Sequence, residues 1–272
     1  MAGQLDGKTA IVTGSSSGIG KGIAKHFATE GANVVTNSRK QERAERVAAE
    51  IREDGGEAIG VEANMADYES VEDLVSAAVD EFGSLDIMVN NAGVQANNPV
   101  LEMTEEEWRH VIEVDLTGVF FGCKAAGLQM AEQNDGGQII NISSLFGHFG
   151  VQGRSNYNAA KGGVNNLTRS FAVELAEFGV SVNALAPGFI KTPLDEQTRG
   201  DDDDAVYDET EWPYYGYTDD HIHNRVPLGR FGTVDEMANC TTFLAAGGHY
   251  INGHVLTADG GWLAFGWGSK GR

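Results

Sequence analysis

Thr9-Ala10-Ile11-Val12-Thr13-Gly14-Ser15-Ser16-Ser17-Gly18-Ile19-Gly20-Lys21-Gly22 is the stretch whose reading decides the fold. Four residues, apolar or β-branched, read as a buried strand, and a glycine-rich turn follows at once. From about Gly20 to Glu30 the apolar residues take helical spacing. Glycines at 14, 18 and 20 let the chain turn sharply from strand into helix and let main-chain N–H groups approach a phosphate closely. The helix N-terminus adds its partial positive charge at the same place. A nucleoside-triphosphate loop of the form GxxxxGK[ST] does not fit. Gly14 and Gly20 lie one residue too far apart, and Gly22 stands where a magnesium-holding hydroxyl is required.

Outward from this turn the pattern repeats. Strands are expected at Ala32–Thr36, Ala58–Val61, Asp86–Val89, Gln138–Ile142, Val180–Leu185 and His254–Thr257. Helices are expected at Gln41–Asp54, Val71–Phe82, in one long run after Thr104, at Asn156–Phe178, and up to about Leu244. Thr104 with Glu107, and Thr233 with Glu236, have capping-box spacing. Strands alternating with helices predict an α/β fold: a doubly wound, Rossmann-type parallel sheet of about seven strands with helices on both faces. No linker divides the chain, so 1–272 reads as a single domain. One segment, at about 190–230, breaks the rhythm. It holds an acidic run, Asp201–Asp204, and the aromatics Trp212, Tyr214, Tyr215 and Tyr217. A loop this long reads as a substrate loop, and the acidic run as solvated charge rather than a cation site.

Composition narrows the function. The chain has 272 residues, 41% of them hydrophobic, and 19 basic against 40 acidic side chains give a net charge of −21. Such a surface repels nucleic-acid backbones and anionic lipid, and suits a salt-rich host. No apolar run is long enough to span a bilayer, and the N-terminus does not read as a secretory leader. Cys123 and Cys240 fall in separate predicted helices, with no disulfide or metal-ligand spacing. Both read as small buried hydrophobes, and a cytoplasmic location is expected. No metal site is expected.

The turn has the form TGxxxGxG. Asn90-Asn91-Ala92-Gly93, Tyr157-x-x-x-Lys161, Pro187-Gly188 and Asp259-Gly260-Gly261 follow it in order across nearly the whole chain. In these motifs the chain resembles the short-chain dehydrogenase/reductase family. The resemblance implies an oxidoreductase that moves a hydride between a nicotinamide dinucleotide and a carbonyl or alcohol carbon. Tyr157 would give or take the proton. Lys161, four residues on, shares its helix face, and an ammonium there favours phenolate. Ser144 would bond the substrate oxygen, with Ser143 positioning the loop. The cofactor residues implied are Gly14, Ser16, Ser17, Gly18, Ile19 and Gly20 in the turn; Ser38 and Arg39; Asn64 and Met65; Asn91, Ala92 and Gly93; Tyr157 and Lys161; and Pro187, Gly188, Ile190 and Thr192. Asn90 would steady the central sheet. The second strand ends without the acid that binds the ribose of NAD. Ser38 and Arg39 stand there instead, so NADP is the expected cofactor, with NAD the alternative. Asn64 replaces the family's adenine-contacting Asp, and its amide oxygen would still accept from the adenine amino group.

One departure touches the chemistry. Asp115 stands where the family carries an Asn that holds a water linked to the lysine. A negative charge near Lys161 would offset part of the lysine's effect on Tyr157 and give oxidation a more alkaline optimum. The substrate wall is expected from Phe146, His148, Phe149, Gln152 and Arg154, with the loop after Pro187. Aromatic faces among polar groups suit a sugar, so an aldose 1-dehydrogenase is the first expectation. The alternative is a 3-oxoacyl thioester reductase or other ketone reductase, for which the acidic loop is unfavourable unless salt screens it. A non-catalytic NADP-binding sensor is the remote alternative, since Tyr157 and Lys161 are both present. The partners implied are a small-molecule substrate and, by resemblance, the other subunits of a homotetramer. Its interfaces would use the helices after Thr104 and Asn156 and the last strand. The tail, Trp262–Arg272, would cross a neighbouring subunit or cover the pocket.

Overall fold

Strand β1 (Thr9–Val12) pairs in parallel with β2 (Asn33–Ser38) on one side and β4 (Ile87–Asn90) on the other. Outside β2 lies β3 (Glu57–Glu62), and outside β4 lie β5 (Gly137–Ile142) and β6 (Val180–Pro187). A separate two-residue ladder joins β7 (Ile190–Lys191) to β8 (Gly232–Thr233), and β9 (Val255–Ala258) closes the main sheet beside β6. The order is β3-β2-β1-β4-β5-β6-β9, seven parallel strands. The chain runs outward in both directions from β1 and β4. Their carboxyl ends therefore open a crevice at the switch point, where ligands bind in such sheets. This is a computed structural model, and it describes residues 3–192, 223–247 and 250–265. The acidic run, the aromatic cluster at 212–217 and the tail from 266 lie outside the described residues.

The near-continuous apolar strands have a direct cause: both faces are buried. Ala10 and Val12 pack in one core with residues of α1 (Gly18–Thr29), α2 (Gln41–Glu53) and α7 (Val234–Ala245). Ile11 between them packs in the other, with α3 (Tyr68–Phe82), α5 (Gly118–Gln133) and α6 (Ser155–Glu174). Strand β4 alternates likewise, Ile87 and Val89 against Met88. Each buried Val, Ile or Met among these contributes on the order of 1.5–3 kcal/mol relative to exposure.

The expected long helix after Thr104 is interrupted. It consists of α4 (Glu105–Ile112), a π turn over Glu113–Thr117, and α5. The Thr104 capping box is present: its Oγ1 accepts from the Glu107 N–H at 3.1 Å, and Glu107 Oε2 accepts from the Thr104 N–H at 2.7 Å. The wide turn accommodates an extra residue and re-aims side chains, and Asp115 within it is fully buried. The helix expected to reach Phe178 ends at Glu174, followed by a 3₁₀ turn over Ala176–Phe178 and the left-handed Gly179. Strand β2 runs two residues past Thr36 and so carries Asn37 into the sheet. Cys123 is buried as expected, but Cys240 is only half-buried, at the margin of the core. Among the described residues no helix is long and apolar enough to cross a membrane.

Candidate active site

The glycine turn is braced from both sides of the switch point. Thr13 Oγ1 accepts from the N–H groups of Asn91 and Ala92 at 2.9 and 3.0 Å. The Asn91 amide returns two bonds, to the carbonyls of Thr13 and Gly14 at 2.9 and 3.2 Å. From β2, Asn37 Oδ1 accepts from the Gly14 N–H at 3.1 Å, and Ser15 Oγ accepts from the Asn37 N–H at 2.8 Å. Gly14 has φ +61°, and a Cβ there would lie 2.8 Å from Ala92 Cα. At Gly18 a Cβ would have only Thr192 Cγ2 nearby, at 3.7 Å, so the turn faces open space bounded by Thr192. Ser17 caps α1 without a side-chain bond, which leaves the first-turn N–H groups for an anion. Gly20 is buried under the turn, and Ser16 and Ile19 flank it. The set fits the pyrophosphate of a dinucleotide.

Toward the ribose end, Ser38 closes β2 and its Oγ accepts from the Lys40 N–H at 3.4 Å; Arg39 and Lys40 are exposed beside it. Asn64 is tied into the loop after β3. Its Oδ1 accepts from the Ala66 N–H at 3.1 Å and holds a turn. The Met65 side chain is buried in the core, so only its main chain can face the pocket. Asn90 donates to Asn141 Oδ1 at 2.8 Å in mid-sheet, as a steadying residue should. Gly93 packs on Asp115: a Cβ would stand 2.9 Å from its Oδ2. Pro187 ends β6 opposite Ala258, Gly188 donates to the Ala258 carbonyl at 2.9 Å, and Ile190 opens β7.

The residues expected to handle the proton meet at the ends of β5 and α6. Ser143 Oγ donates to Asn165 Oδ1 at 2.6 Å, tying the strand end to the helix. Ser144 Oγ accepts from the Phe146 N–H at 3.1 Å, so its own proton remains available to an oxygen ligand. Tyr157 lies in the first turn of α6. Its N–H donates to Asn156 Oδ1 at 2.7 Å, and the buried Asn156 amide reaches the carbonyls of Ala96 at 3.0 Å and Glu107 at 3.3 Å. Lys161 Nζ lies 5.4 Å from the Tyr157 ring centre, donates to the Ile142 carbonyl at 3.1 Å, and stands 3.1 Å from Asp115 Oδ2. Asp115 Oδ1 accepts from the Val94 N–H at 2.7 Å. Burial pushes the Asp115 carboxyl up, opposed by Lys161, the Val94 N–H and more weakly His110. Burial pulls Lys161 down, but Asp115 and Tyr157 more than offset it, so the ammonium is held above the ordinary lysine range.

Beside Tyr157 runs a wall of rings. Phe146 lies edge-on to Tyr157, Phe149 and Phe189, with centres 6.5, 5.6 and 6.0 Å apart, and Phe189 meets Trp262 at 4.8 Å. The buried Arg154 places its guanidinium 5.3 Å from the Phe146 ring centre, whereas His148 and Gln152 are exposed. Sequence reasoning missed Thr13, Asn37, Asn156 and Phe189. For Phe189 a signal exists, since it follows Pro187-Gly188; Trp262, first residue of the tail expected to cross a neighbouring subunit or cover the pocket, follows Asp259-Gly260-Gly261. There the Asp259 carboxylate accepts from the N–H groups of Gly261 and Leu263 at 2.8 Å each and turns the chain inward.

Comparison with known proteins agrees with this geometry. The short chain dehydrogenase family profile matches residues 8–203. The chain is 41% identical to the 3-oxoacyl-(acyl-carrier-protein) reductase FabG of Staphylococcus aureus (strain N315), over 93% of this chain and 97% of that one. It is 40% identical to the 3-oxoacyl-(acyl-carrier-protein) reductase of Synechocystis sp. (strain ATCC 27184 / PCC 6803 / Kazusa), over 96% and 99%. A crystal structure of a short-chain type dehydrogenase/reductase from Mycobacterium marinum superimposes with a TM-score of 0.81 at 34% identity, covering 95% of this chain and 96% of that one. The two named relatives carry the activity weighed above as the alternative, and neither is named for a sugar.

Proposed function

The chain belongs to the short-chain dehydrogenase family, and from that premise we propose that it is an NADPH-dependent reductase of 3-oxoacyl thioesters. The observation that carries this reading is the wall beside Tyr157. Phe146, Phe189 and Trp262 pack into one apolar cluster with Tyr157 at its margin, surroundings that suit an acyl chain. His148 and Gln152, the polar groups a sugar would need from this segment, are exposed. The aromatic cluster that favoured an aldose lies outside the described residues. The names of the two 3-oxoacyl reductase relatives point the same way. NADPH is favoured over NADH by Ser38 and the exposed Arg39 and Lys40 at the end of β2, which carries no acid of its own at the ribose position.

A bound nicotinamide dinucleotide supplies the hydride. The chain's own residues do the rest. Ser144 Oγ–H donates to the ketone oxygen and fixes its position. Tyr157 Oη gives its proton to that oxygen as negative charge develops, and Lys161 holds positive charge beside the phenol. The rings exclude water from the reacting carbon. The reading extends to a homotetramer, supported by exposed apolar side chains on the α5 and α6 faces, Phe120, Leu128 and Val173; light scattering in solution checks it.

Loss of NADPH absorbance with a 3-oxobutanoyl thioester, set against NADP reduction by a panel of aldoses, tests the function. Thioester turnover is expected to exceed aldose turnover, and Tyr157→Phe is expected to lower it by roughly 10²–10⁴-fold while cofactor binding persists. Faster turnover of an aldose would overturn the substrate assignment and leave the enzyme class intact.

A further inference from the structure

Asp115 is a buried carboxylate that the proton transfer just described does not use. It is fully buried, and its partner Lys161 is 3% exposed. Its two oxygens are committed to different elements. Oδ1 accepts from the Val94 N–H on the loop after β4, and Oδ2 faces Lys161 Nζ on α6. Apart from the ammonium, Oδ2 has no hydrogen-bond partner. An asparagine could not take over both contacts. With its oxygen kept on Val94, its NH₂ group would face an ammonium at the same distance, donor against donor. The second contact therefore requires a carboxylate.

We propose that Asp115 is a positioning residue that draws Lys161 toward the π turn, partly neutralises it, and thereby sets the enzyme to run as a reductase. The proposal rests on Tyr157 acting as the proton carrier. Reduction needs Tyr157 as phenol, to give a proton to the ketone oxygen. Oxidation needs it as phenolate, to take the alcohol's proton while the hydride passes to the bound dinucleotide. The ammonium of Lys161 favours phenolate, and a carboxylate 3.1 Å behind that ammonium opposes the effect. Lys161 on α6 and, at longer range, His110 on α4 face Asp115, while Tyr157 faces Lys161 from the same helix. Among these groups Asp115 is the one carboxyl, and Lys161 beside it is what favours its charged form against burial. Oxidation is consequently confined to alkaline pH, and reduction stays available through neutrality.

Asp115→Asn tests this, because the exchange is isosteric and keeps the Val94 bond. The acid limb of the pH–rate profile for oxidation is expected to move down by about one unit. Below the parent's limb the variant would then oxidise alcohol about tenfold faster than the parent, a gain that structural damage does not produce. An unmoved limb overturns the proposal, whether or not the rate falls. Should the variant fail to fold, ultraviolet difference titration of the parent against Tyr157→Phe, with NADP bound, decides the matter with no substrate present. Phenolate absorbance should develop only in the alkaline range, and half-development already at about pH 7 overturns the proposal. Because the titration needs no substrate, its outcome is independent of whether the thioester assignment holds.

Discussion

Gly122 occupies mid-helix in α5, where glycine weakens a helix by roughly 1 kcal/mol relative to alanine. The neighbouring strand gives the reason. A Cβ at 122 would lie in steric overlap with Asn90 Oδ1, and 3.1 Å from Met88 Cε. Asn90 cannot step aside, since its amide is held by Asn141 Oδ1 at 2.8 Å and Cys123 Sγ at 3.4 Å. Gly122→Ala should therefore destabilise the fold by about 1–3 kcal/mol despite its better helix propensity, as read by urea denaturation. An unchanged or higher midpoint would show that the packing is looser than described. This glycine was illegible in the sequence, because its constraint comes from a strand 32 residues earlier in the chain. Thr13, Asn37 and Asn156 escaped for the same cause: they bond main-chain groups of distant segments. Tyr157, Lys161 and Ser144 were legible because their chemistry needs short, fixed spacings within one helix and one strand end.

Helix α7 opens with a second capping box. Thr233 Oγ1 accepts from the Glu236 N–H at 3.2 Å, and Glu236 Oε2 accepts from the Thr233 N–H at 2.9 Å. Arg230 grips the same carboxylate at 2.6 and 2.9 Å. The arginine first, and the Thr233 N–H next, lower the Glu236 carboxyl from 4.5 to about 2. A carboxyl lowered on folding stabilises above its unfolded value, and the contribution is lost as pH falls through the folded one. Glu236→Gln should therefore melt below the parent at neutral pH, by a small margin because the pair is exposed and salt-screened, and the gap should close between about pH 4.5 and 2. A constant gap across that range would mean that shape, and not charge, holds the cap. Both capping boxes were readable as a threonine with a glutamate three residues on. The π turn over Glu113–Thr117 was not. Its apolar residues continue a helical spacing, and only burial of Asp115 against Val94 and Lys161 reveals the extra residue.

At the scale of the whole molecule, the charge of −21 and the proposed substrate pull against each other. A 3-oxoacyl group tethered to an anionic carrier must approach a surface of like sign, and the encounter is slowed by repulsion that reaches as far as the Debye length. That length is about 30 Å at 0.01 M salt and about 3 Å at 1 M, so salt removes the barrier without touching the buried chemistry at Ser144 and Tyr157. The KM for a carrier-bound 3-oxoacyl substrate should consequently fall severalfold as potassium chloride rises from about 0.05 to 1 M. The KM for an uncharged small-thiol thioester, which meets only the aromatic wall, should stay nearly level, and kcat for the two should change in parallel. Initial-rate measurements across that range separate the cases. Equal salt responses for carrier-bound and free thioesters would show that the acidic surface has no part in substrate choice. A carrier KM that rises with salt would instead mean that a local cationic patch governs docking in spite of the overall charge.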